Sequence, residues 1–139
     1  MKSRKKILSV LFRESTMLVI LILLSSSVWV LGDTSASPPI KVDRLTVVII
    51  EETESRGSIP QEQLNAINSK KWREYVSENK GQWRVIDQHA RISDEKKWVK
   101  DAIKLKRSSL PWLIVSRPSH GSSSKFPENL EKLMEKIKQ

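Results

Sequence analysis

Apolar positions in this chain change rhythm several times, and each change predicts an element. Leu45 to Ile50 (LTVVII) is a β-branched run of strand length, apolar on both faces, which predicts a central strand covered from two sides. From Gln61 to Lys80 apolar residues return at helical spacing, at Leu64, Ile67, Trp72, Tyr75 and Val76. Pro60 suits a first helical position, Gly81 suits a terminator, and Asn68-Ser69 leaves room for two shorter helices. Trp83 to Ile86 (WRVI) reads as a second strand. Ser93 is placed to cap a further helix, Asp94 and Glu95 suit its positive end, and Trp98, Val99, Ala102 and Ile103 form its buried stripe. Trp112 to Val115 (WLIV) gives a third strand, and Ser119 to Ser124 reads as a loop. A closing helix from near Pro127 buries Leu130, Leu133, Met134 and Ile137, spaced i, i+3, i+4, i+7. Strands alternating with helices predict the α/β class, a small sheet flanked by helices.

Residues 1–32 follow another pattern. Lys2, Arg4, Lys5, Lys6 and Arg13 form a basic head, followed by the unbroken apolar run Met17 to Leu24 and by Val28 to Leu31. That layout is an export signal of bacterial type. As a helix, Met17 to Leu31 covers roughly 22 Å, short of a bilayer core of about 30 Å, and Arg13, Glu14 and Asp33 bound it. The balance leans to cleavage after Gly32, with an uncleaved N-terminal membrane anchor as the alternative. Either way residues 33–139 are expected across the cytoplasmic membrane, in the periplasm, secreted, or held at the membrane by the N-terminus. Residues 33–44, with Pro38-Pro39, read as an extended linker without a packed partner, and residues 45–139 as the α/β domain.

Charge and composition narrow the chemistry. The chain has no cysteine, which removes disulfides, thiol redox, thiolate metal ligands and lipid attachment at a processed cysteine. It carries 25 Lys and Arg against 16 Asp and Glu. Five of those cations and one acid lie in residues 1–32, so the remainder is +5. That is basic without being polycationic, and no aromatic-basic repeat accompanies it, so no nucleic-acid partner is expected.

At Ser109 to Ser116 (SLPWLIVS) a proline heads an apolar strand, after a basic helix and before a Gly-containing turn and a final amphipathic helix. In that order these elements resemble the thioredoxin-like fold. The resemblance covers Leu45 to the C-terminus and implies a cis Leu110-Pro111 bond and a third strand antiparallel to the first. It further implies a groove between the loop after the central strand and Leu110-Pro111-Trp112. Redox members of that family carry a CxxC pair where this chain has Ser55-Arg56-Gly57-Ser58. Hydroxyls cannot exchange disulfides, because exchange needs a thiolate nucleophile and a thiol leaving group. The implied protein is a redox-inactive binding or scaffold module of the cell envelope, with Ser55, Arg56, Gly57, Ser58, Leu110, Pro111 and Trp112 as its binding residues and a protein or peptide as partner.

Other constellations carry candidate chemistry. Glu51, Glu52 and Glu54 follow the first strand, Asp87 and His89 the second, Arg117 and His120 the third. In an all-parallel sheet they would share one edge, and a small envelope enzyme using that His/carboxylate edge is the alternative reading. No ligand pair has helical spacing and no GxSxG occurs, so no metal, cofactor or catalytic residue is assigned. The stretch His120 to Lys125 lacks the phosphate-loop pattern GxxxxGK[ST]. Lys97, Lys100, Lys104 and Arg107 fall along one helix face. They are either a solvated face or a dock for anionic surfaces, the latter suiting a peripheral membrane protein. Core packing is the default for Trp72, Trp83, Trp98 and Trp112, with Trp112 also a candidate groove residue.

Overall fold

The computed structural model describes residues 36–139. The export segment expected over 1–32 lies outside them. The elements are β1 (Thr46–Glu51), α1 (Gln61–Asn68), α2 (Lys70–Glu78), β2 (Gln82–Asp87), α3 (Lys97–Lys104), β3 (Trp112–Ser116), β4 (Gly121–Lys125) and α4 (Leu130–Lys138), with a 3-10 turn over Thr53–Ser58. Among the described residues no helix is long and apolar enough to cross a membrane.

The sheet is mixed and has four strands in the order β2-β1-β3-β4. β2 is parallel to β1, with Thr46 opposite Gln82 and Glu51 opposite Asp87. β3 is antiparallel to β1, with Ile50 opposite Trp112 and Thr46 opposite Ser116, and β4 is antiparallel to β3. The Leu110-Pro111 bond is cis.

Alternation along β1 feeds two cores. Val47 and Ile49 join Leu113, Val115, Ala66, Ile67, Trp72, Val76, Leu133 and Ile137 in one layer, under α1, α2 and α4. Val48 and Ile50 join Ile86, Ile114, Val99, Ala102 and Ile40 in the other, under α3. Every residue of β1 is buried, which is why the run tolerates no polar alternation.

Five expectations change. Ser119 to Ser124 is not wholly loop, because Gly121–Lys125 forms edge strand β4 on backbone bonds to β3. Residues 36–44 do not lack a packed partner. Ile40 is only 3% exposed, its N–H faces Ser116 Oγ at 3.4 Å, and the Gly121 N–H donates to the Ala36 carbonyl at 3.2 Å. The stretch is a strap laid across β3 and β4, and Gly121 makes room for it. A Cβ there would lie 2.4 Å from the Val115 oxygen and 2.8 Å from Pro39.

Ser93 does not cap α3, which begins after Lys96 without a side-chain cap. Glu95 is instead paired with Arg84 on β2, and residues 92–95 form a turn closed by Glu95 N–H to Ile92 O. α4 starts at Leu130 rather than near Pro127, since Asn129 accepts from Lys132 N–H and caps it. Trp83 is not core. It is 37% exposed on β2, in edge-to-face contact with buried Trp72 at 5.5 Å and 77°, with the Arg73 guanidinium 4.9 Å from its ring.

Candidate functional site

Three connections meet at the end of the sheet where β1 and β2 finish and β3 starts. The first is the 3-10 turn after β1, closed by Ser55 N–H to Glu52 O and by Ser58 Oγ donating to Ser55 O at 2.7 Å. The second is the turn after β2, which the parallel register sets beside the first; Gln88 N–H donates to Glu51 O at 2.8 Å. The third is the segment 107–110 between α3 and β3. There Arg107 Nη1 donates to the Ile103 and Leu105 carbonyls at 2.9 and 3.2 Å, so its cation closes the C-terminal end of α3. Between them lies a cleft of about 410 Å³ lined by Ser55, Ser58, Ile59, Arg107 and Leu110, with Glu52, Gln88, Ser108 and Ser109 completing it.

Carboxylates brace one wall. Asp87 Oδ2 accepts from Thr53 N–H at 2.6 Å and Oδ1 from His89 N–H at 2.7 Å. These backbone donors, Thr53 first, pull the Asp87 carboxyl down to about 2. Glu52 accepts from the Ser55 hydroxyl and from Gln88 Nε2, with His89 Nε2 at 3.4 Å, and those partners, in that order, lower its pKa as well. Both groups are held as anions by bonds already made, so neither is poised as a general base near neutral pH. Buried Glu51 is paired with Arg56 Nε at 3.1 Å.

The expected binding residues separate accordingly. Ser55, Ser58 and Leu110 converge on the cleft. Arg56 turns to Glu51, and Trp112 lies on the second core with Nε1 donating to Ser123 Oγ at 2.8 Å. Pro111 is buried at the head of β3, and Gly57 sits at the tip of the turn with nothing within 4 Å of a built Cβ. The row Lys97, Lys100, Lys104, Arg107 is not a single dock. α3 ends at Lys104, and Arg107 stands in the cleft wall. Lys97 pairs with Asp101 at 2.5 Å and Lys100 donates to Ser93 O at 2.6 Å.

The His/carboxylate edge does not form either. Because β3 is antiparallel, Arg117 and His120 lie at the end of the sheet opposite Glu51, Asp87 and His89. His120 Nδ1 is 3.0 Å from Ser119 Oγ, but its Nε2 faces the Gln139 backbone oxygen at 3.2 Å rather than an Asp or Glu side chain. Among the described residues no group of three or more His, Asp and Glu is placed to hold a metal ion.

Sequence reasoning missed Gln88, Ile59, Ser108 and Ser109 as cleft residues. The one signal available for Gln88 was its place just past β2, which a parallel partner necessarily sets beside Glu52. No family model matches this chain, and comparison with curated proteins and with solved structures found no similar protein.

Proposed function

We propose that residues 33–139 form an exported, thioredoxin-like binding module without redox chemistry, which takes a segment of a partner protein into the cleft between the 3-10 turn and residues 107–110. The observation that carries this reading is the cleft itself, where Ser55 and Ser58 on one wall face Leu110 on the other. Its support is the strand order β2-β1-β3-β4 with an antiparallel β3, and Pro111 at the head of that strand. Hydroxyls and amides beside Ile59 and Leu110 suit a polypeptide, which offers backbone polar groups and an occasional apolar side chain together. With no thiol, capture does not run through a mixed disulfide. Export rests on the basic head and apolar run of residues 1–32.

The test is selection from a displayed random-peptide library on the purified protein. Enriched peptides are expected to lose about tenfold or more in affinity, about 1.4 kcal/mol, with Leu110→Glu or with the exposed Ser58→Arg. Glu131→Lys on α4 should leave binding unchanged. Failure to enrich any peptide, or binding indifferent to both cleft substitutions, would overturn the reading.

A further inference from the structure

The two ends of the sheet differ in charge. The charges of the cleft end balance, with Glu51, Glu52, Glu54 and Asp87 gathered near Arg56, Arg107 and, at the end of α3, Lys104 and Lys106. The opposite end gathers cations from separate elements. Lys41 of the strap and Lys97 at the start of α3 line one recess of about 360 Å³ beside Gln82 at the start of β2. Arg44 precedes β1, and Lys80 precedes the Gln82 N–H that donates to Leu45 O. Arg117 follows β3 and donates to Ile137 O at 2.6 Å, which brings the last turn of α4 and Lys138 to the same end.

Asp43, Glu78 and Asp101 are the acids among them, and two are already engaged, Asp43 by Arg44 at 2.8 Å and Asp101 by Lys97 at 2.5 Å. Some of these cations serve the fold, as Lys138 does over the Tyr75 ring at 5.6 Å. With Arg44 and Lys97 already paired, exposed Lys41 and Lys80 nonetheless leave a surplus of positive charge at this end.

The strap adds a direction. Ala36 bonds to Gly121, which pairs with Ser116, which pairs with Thr46, so the chain joins the domain at this basic end and not at the cleft. We infer that this end docks on a bilayer of anionic lipid, with the cleft facing away from it. The inference goes beyond the binding reading of the cleft and does not depend on it. A bilayer is favoured over a dissolved polyanion in the chain that keeps residues 1–32, because the segment leading into the strap then carries the apolar run Met17 to Leu24.

The absence of cysteine makes the test direct. The full chain carries one fluorophore, at Ser119→Cys on the basic end or at Ser58→Cys on the cleft end. Each is mixed with phosphatidylcholine vesicles, with and without phosphatidylglycerol, that bear a headgroup quencher. Quenching is expected at position 119 when phosphatidylglycerol is present, to fade with added salt, and to weaken on the order of tenfold in the Lys41→Glu, Lys97→Glu pair. Position 58 should stay unquenched. Equal quenching at both positions, quenching independent of phosphatidylglycerol, or competition by dissolved polyphosphate as strong as that by vesicles would overturn the inference. The peptide selection reads only the cleft, so the two proposals fail separately.

Discussion

Asp87 binds two backbone N–H groups at once, and its acidity records that work. A carboxyl at about 2, against a usual 3.8, is ionised more easily in the folded chain than in the unfolded one. Its contribution to stability is therefore complete above about pH 4 and is lost as pH falls through about 2. Asp87→Asn should lower the urea midpoint at neutral pH, and its gap from the parent should close between about pH 4 and pH 2. Urea titrations across that range check it; a gap that ignores pH would contradict the assignment. Gly81 matters for a different reason. The helix-ending residue with positive φ is Lys80, at 56°, while a Cβ on Gly81 would sit 2.8 Å from the backbone oxygens of Leu45 and Val76. Gly81→Ala should cost about 1–3 kcal/mol. Gly57→Ala, in open space, should stay within about 0.5 kcal/mol, both read from urea unfolding.

Among the elements, the strap has a single buried side chain, Ile40. Ile40→Ala removes the buried anchor and should cost about 2–4 kcal/mol. It should also speed hydrogen exchange at the Gly121 amide, whose acceptor is Ala36 O. The strap and β4 were the elements hardest to read. Pro38-Pro39 hides one buried isoleucine, and Gly-Ser-Ser-Ser-Lys has no apolar alternation, because backbone bonding to β3 rather than side-chain burial makes that strand. The elements with an unbroken apolar run, β1 and β3, or a helical apolar stripe, α1, α2 and α4, were legible to within a few residues. At the cleft, the nearness of Ser55 and Ser58 to Leu110 followed only from the resemblance, which implied the reversed β3 that starts beside the end of β1. Glu52 and Gln88 owe their adjacency to the register between two strands, which no local pattern encodes.

At the scale of the whole molecule, the two cores share β1 and β3 and cannot come apart singly. Trp72 reports one core, and Trp98 and Trp112 border the other. Their fluorescence in single-tryptophan variants and the far-ultraviolet circular dichroism should therefore give one coincident urea transition. Separate midpoints would show that each layer has its own stability. The strap also fixes a length. It joins the sheet at one end of a six-residue central strand and the cleft opens at the other, which sets them about 20 Å apart. If residues 1–32 hold the proposed module at a surface, the length of chain ahead of Ala36 sets how far the cleft reaches, independently of what the cleft can hold.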